Sequence, residues 1–228
     1  MRKYLSLLTF TLSFSFFVSA QSNSMDSLRQ AKDKALRTAM HEDSVRIEKK
    51  FSAKEKEAAL FSKVEYPLIK GGKFSGLIPV KDPTEIPDPN IDYKLLFELT
   101  YDNPDSLSKD INGGLTEITR VINLHYASGI PIKRIMPVIV VHGAALDAIR
   151  NNQSYQTKYK SDNPNIQLIN ELQNKVGAKF IACGQAMAFL EVNKEDLLPD
   201  VKVSLTAQTV LSHYQLKGYV LYPISEAK

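Results

Sequence analysis

The chain has 228 residues, 43% of them hydrophobic and 24% charged, with 29 Lys and Arg against 25 Asp and Glu, four His and one Cys. This composition fits one folded domain with additional segments and excludes a chain disordered throughout. A formal charge of +4 is too small a surplus to signal nucleic acid, and one cysteine excludes an internal disulfide, a C-x-x-C redox pair and a cysteine zinc cluster.

Arg2 and Lys3 precede an apolar run from Leu5 to Val18, and Val18-Ser19-Ala20 offers the small residues a signal peptidase needs. Residues 1–20 are expected to be a signal peptide cleaved after Ala20, which places the mature protein in the periplasm or outside the cell. The run is short for a membrane span, so no stable span is expected after cleavage. Cleavage leaves 27 basic against 25 acidic residues, a charge of +2, which argues further against nucleic acid.

Residues 21–65 mix both charge signs around a thin, alanine-rich stripe that includes Met25, Leu28, Leu36 and Met40. This is expected to be a charged helical arm of one or two exposed helices, with too little apolar surface to fold alone. It reads either as a solvated arm or as a helix that docks on a neighbouring subunit. Residues 66–91 carry Pro67, Pro79, Pro83, Pro87 and Pro89 among three glycines, which blocks helix and central strand alike. An extended connector is expected there.

From residue 92 to 228 strands and helices alternate. Tyr93 to Leu99, Ile135 to Val141, Phe180 to Cys183, Val201 to Val203 and Tyr219 to Tyr222 read as strands. Ile111, Leu115, Ile118 and Ile122 mark a first helix ending near Gly129. A short helix is expected at Ala144 to Arg150, and a loop or lid at Asn151 to Asn163. Ile166, Ile169, Leu172 and Val176 mark a helix stopped by Gly177, another starts at Gly184, and Ala207 to Tyr214 leads a last one ended by Gly218. The alternation calls for a parallel sheet with helices on both faces, an α/β fold.

In such folds ligands bind beyond the carboxyl ends of the strands. Cys183 ends a strand and precedes Gly184-Gln185-Ala186, so its sulfur sits near a helix start where backbone N–H groups favour a thiolate. The alternative is a buried, inert thiol. His142-Gly143 ends another strand, where an imidazole acts as a general base, polarises a neighbour or holds a loop carbonyl. Adjacent strands would bring His142 within reach of Cys183. Asp102-Asn103-Pro104-Asp105 could bind a cation or cap a helix, and the cap is preferred. His125 and His213 read as surface or partner-packing residues, and Asn152-Gln153-Ser154 fits a glycosylation sequon. Asn112-Gly113-Gly114 lacks P-loop spacing. No metal or organic cofactor is implied.

The stretches "YKLLFELT", "MPVIVVHGAAL", "AKFIACGQAM" and "LTAQTVLSHYQLKGYVLYPI" resemble the DsrE/DsrF family, which includes the sulfur-relay TusD proteins. The resemblance implies a three-layer α/β sandwich around a five-stranded, mostly parallel sheet, assembled as a trimer or hexamer. It implies that Cys183 accepts a persulfide sulfur from a donor protein and passes it to an acceptor. At a helix start the Gly184 and Gln185 N–H groups are expected to stabilise the anion. Two other functions share these residues: a non-catalytic, oligomeric interaction module using the arm, and a redox-sensing thiol at Cys183.

Overall fold

The structure, a computed structural model, describes residues 5–103 and 109–225, with side chains from residue 26 onward. Residues 1–4 and the side chains of the expected leader lie outside the described residues. So do Pro104 and Asp105 of the acidic loop. The chain divides after Ser62 into two units.

The first unit is one helix, α1 (Leu5–Phe61). Leu28, Leu36, Met40, Val45, Ile47 and Phe51 are exposed along it, and an Arg46–Asp43 ion pair of 2.8 Å spans one turn. Its described length is continuous across the alanine-rich arm because no Gly or Pro interrupts it. Among the described residues no helix is long and apolar enough to cross a membrane.

The second unit holds a five-stranded sheet: β1 (Tyr93–Leu99), β2 (Ile135–Val141), β3 (Lys179–Cys183), β4 (Lys202–Ser204) and β5 (Val220–Ile224). Their order is β4-β3-β2-β1-β5. Every pairing is parallel, with Phe97 opposite Ile139 and Tyr222, and Val140 opposite Ile181. The sheet is thus wholly parallel, where a mostly parallel one was expected. Each strand after β1 is reached through a helical crossover, which returns the chain to the same sheet end.

The crossovers supply α2 (Gly113–Ala127), α3 (Asn152–Tyr159), α4 (Ile166–Val176), α5 (Gly184–Phe189) and α6 (Ala207–Leu216). One sheet face sends Leu95, Phe97, Leu99, Ile139, Val141 and Phe180 into the main core with α2 and α4. The other face sends Leu96, Val138, Val140, Ile181 and Cys183 against Ala207, Leu211 and Tyr214 of α6. Strict two-residue alternation decides which side chain meets which layer.

The short helix expected after β2 is present as a 3-10 helix, Gly143–Ile149. One segment differs from expectation. The expected lid is α3, a true helix. Its sequence has no apolar stripe, so periodicity could not reveal it. It is built by a cap, since Asn151 Oδ1 accepts the Ser154 N–H at 2.9 Å.

The start of the Pro/Gly-rich connector is part of the packing. Ile69 is buried, its N–H donates to Asn123 Oδ1 at 3.1 Å, and the Asn123 amide donates to the carbonyls of Ile69 and Ser75 at 2.7 Å each. Asn123 is itself buried on α2, so its amide substitutes for the backbone partners that the proline-rich segment lacks.

Candidate functional site

The C-terminal end of the sheet, on the α6 side, carries three polar groups in a row. Cys183 closes β3 and stands as N-cap of α5, as its strand-to-helix sequence implied. Its residue is only 5% exposed. The Sγ accepts the backbone N–H of Ala207 at 3.2 Å. Ala207 is the first residue of α6, so the sulfur occupies one of the N–H groups a helix start leaves unpaired. An N–H aimed at sulfur stabilises negative charge on it.

This donor is not the one expected. The Gln185 N–H donates to the Leu205 carbonyl at 3.1 Å and is unavailable to the sulfur. Gly184 is a glycine for a different reason than ligand approach: a Cβ there would lie 2.6 Å from the Ser204 carbonyl oxygen. The β4 backbone fills the space a side chain there would need.

His142 follows β2 directly. Val140 pairs with Ile181 and Val141 with Ala182, so the next step of the register sets His142 beside Cys183. Alternation puts both on the face that Val140 and Ile181 share. Neighbouring strands lie about 4.8 Å apart. The imidazole Nε2 and Glu98 Oε1 are 3.0 Å apart, and both side chains are about a quarter exposed. A carboxylate only accepts, so Nε2 carries the proton in that bond. Gly143 has φ of +62°, which turns the chain sharply after His142.

Glu98 carried no sequence signal beyond being the one charge at the end of an apolar strand. Its pairing with His142 depends on β1 lying next to β2, which is a tertiary fact. Ala207 was invisible for the same reason.

A second polar cluster lies off the ends of β1 and β2. Asp147 Oδ1 accepts Arg150 Nε, while Oδ2 accepts Lys158 Nζ and the Tyr159 hydroxyl, each at 2.6 Å. Burial pushes the Asp147 carboxyl up, but the bonds from Lys158, Tyr159 and Arg150 outweigh it and hold the group below the usual aspartate range. Burial and the same carboxylate push the Tyr159 hydroxyl far upward. This cluster clamps α3 onto the preceding turns. Nearby, Asp102 Oδ1 is buried without a protein partner among the described residues, and burial raises that carboxyl. Asp102 does not cap α2. That work falls to Asn103 Oδ1, which accepts the Gly113 N–H at 2.9 Å, and to Asn112 Oδ1, which accepts the Leu115 N–H at 3.1 Å.

The other two histidines of the second unit stand elsewhere. His125 Nδ1 donates to the Val121 carbonyl at 2.8 Å and His213 packs edge-on against Tyr214. The sequon residue Asn152 uses its Oδ1 to accept the Asn163 N–H at 2.9 Å. Among the described residues no group of three His, Cys, Asp or Glu could hold a metal ion.

Comparison with known proteins bears on the same region. Residues 115–223 match the model of the DsrE/DsrF-like family, a span that runs from α2 into β5 and includes His142 and Cys183 but not Glu98. A solved structure of a protein of unknown function from Methanobacterium thermoautotrophicum is similar at 18% identity and a TM-score of 0.44, covering 58% of this chain and 99% of that one. No curated protein matches the chain.

Proposed function

We propose that this protein is a sulfur carrier whose Cys183 accepts a sulfane sulfur from a persulfide or polysulfide and passes it on. The DsrE/DsrF-like match over residues 115–223 supports a role related to sulfur relay. The observation that carries the finer reading is the sulfur of Cys183 held on the Ala207 N–H at the start of α6. That bond favours an anionic sulfur, whether thiolate or persulfide, at a strand end where α/β folds place their chemistry.

The step balances without an oxidant. The Cys183 thiolate attacks the terminal sulfur of R–S–SH, a new S–S bond forms, the donor S–S bond breaks, and the donor departs as R–S⁻ with the bonding pair. Because Cys183 is buried and bonded to the first residue of α6, transfer requires the segment entering α6 to move. Leu205, in the segment that enters α6, and Phe189, at the end of α5, are both strongly exposed and give a donor or a second subunit apolar places to press. That exposure also favours an assembly of several copies with this rim inside it. From the N-terminal leader pattern we infer a mature protein in the cell envelope, and N-terminal sequencing of exported protein should then begin at Gln21.

Mass spectrometry after exposure to polysulfide tests the transfer. Wild type should gain about 32 Da, one sulfur atom, at Cys183, and Cys183→Ser should gain nothing. A wild-type chain that stays unmodified while a control persulfide acceptor is loaded defeats the reading. Dimedone capture of a sulfenic acid under mild peroxide, in place of sulfur loading, would instead mark a redox sensor.

A further inference from the structure

The row Glu98, His142, Cys183 crosses three neighbouring strands at one sheet end. β1 supplies the carboxylate, β2 the imidazole and β3 the thiol, and the order β3-β2-β1 puts the imidazole between the other two. All three project toward the α6 layer. Leu96 and Val140, which share that layer, fix the alternation for β1 and β2, and Cys183 itself packs there.

The bond between His142 and Glu98 determines what the ring can do. With Nε2–H donating to Glu98 Oε1 at 3.0 Å, the neutral imidazole has its lone pair on Nδ1. No second protein partner takes Nδ1 among the described residues. A base oriented by a carboxylate beside a thiol is the arrangement that activates nucleophiles on unrelated folds. A structural reading of the same bond, a surface ion pair, does not explain why the carboxylate stands at the end of an apolar strand, next to an imidazole whose register neighbour is the thiol residue.

We propose that Glu98 is a positioning residue that holds His142 in the Nε2–H tautomer, so that Nδ1, directly or through one water, takes the proton of the Cys183 thiol. This deepens the sulfur-carrier reading and rests on it. In the step, Nδ1 receives the S–H proton, the thiolate pair forms the bond to the incoming sulfur, and the imidazolium returns the proton to the departing donor thiolate. Atoms and electrons balance, and Glu98 stays ionised throughout.

The test uses the full chain. The rate at which iodoacetamide alkylates Cys183 at neutral pH is measured for wild type, Glu98→Gln, His142→Asn and the double variant, with melting curves and proton–nitrogen NMR of the histidine rings. Each single variant should slow alkylation about tenfold or more. The double variant should be no slower than the worse single, because groups acting as one unit do not add. Glu98→Gln should also lose the Nε2–H preference of His142, and Glu98→Asp should restore part of the rate. Wild-type alkylation in Glu98→Gln overturns the proposal, as does slowing in the double variant equal to the product of the singles. If Glu98→Gln fails to fold, wild-type alkylation in His142→Asn overturns it equally. Alkylation needs no sulfur donor. Coupled slowing in a chain that never takes sulfur from polysulfide therefore defeats the carrier reading alone, whereas sulfur loading with independent variants defeats only the relay.

Discussion

The backbone N–H of Ala207 meets the Sγ of Cys183 at 3.2 Å, which ties the first residue of α6 to the last residue of β3. A proline is tolerated at the first helical position, where it removes an N–H and little else. Thr206 before it is already extended, with φ of −153° and ψ of 147°, as a residue preceding proline requires. Ala207→Pro should therefore keep the fold, at about 1–3 kcal/mol for the extra methylenes at this buried position, while slowing both alkylation and sulfur loading of Cys183 several-fold. Circular dichroism and timed mass spectrometry read the two effects separately. An unchanged reaction rate in a folded variant would show that this N–H does not matter to the sulfur.

Gly184 lies against the Ser204 carbonyl, which cannot yield as a flexible side chain would. Gly184→Ala should cost about 1–3 kcal/mol, measured as a lower urea midpoint with an unchanged slope. It should also push β4 away from β3, making Cys183 more open to alkylation. Loss of stability with faster modification is the expected pair of results.

Asp147 makes stability depend on acid. Its folded-state carboxyl titrates below the ordinary value, despite the opposing effect of burial, because Lys158, Tyr159 and Arg150 all bond to the ionised form. A lowered folded value means the contribution is complete above the unfolded aspartate value, near 3.9, and is lost as pH falls through the folded one. Urea midpoints taken between neutral pH and acid should fall in that window, and Asp147→Asn should flatten the fall. At neutral pH the same substitution should cost roughly 3 kcal/mol, since it leaves the buried Arg150 without its carboxylate.

Asn123 makes three hydrogen bonds to the connector, all of them buried. Asn123→Leu removes them and leaves three backbone groups unpaired, at about 1–3 kcal/mol for each unsatisfied group. Limited proteolysis should then cut within residues 69–76, a stretch that wild type protects. Equal protection in the variant would place the anchoring elsewhere.

Much of this fold was legible because its strands are apolar on both faces. Runs such as Ile135 to Val141 announce a buried parallel strand without help from neighbours. The glycine at position 177 likewise ends α4 in the left-handed conformation its sequence position implied. The helix α3 was not legible, because caps and the Asp147 cluster build it and neither leaves a hydrophobic period. At the site, Cys183 and His142 were readable as strand-end residues. Their adjacency, the Glu98 partner and the Ala207 donor arise from strand order and from where α6 begins, and no local pattern encodes either. The mistaken Gln185 donor has the same origin: the Leu205 carbonyl that claims it comes from a distant turn.

The seating of Ile69 beside Asn123 reaches back to where this domain truly begins. A fragment started at Asp92, just before the first strand, would carry an uncorked core, with a carboxamide pointing into an empty slot where a hydrocarbon plug used to sit. The start of the connector is thus a stopper as much as a tether, and any shortened version of the protein should keep it.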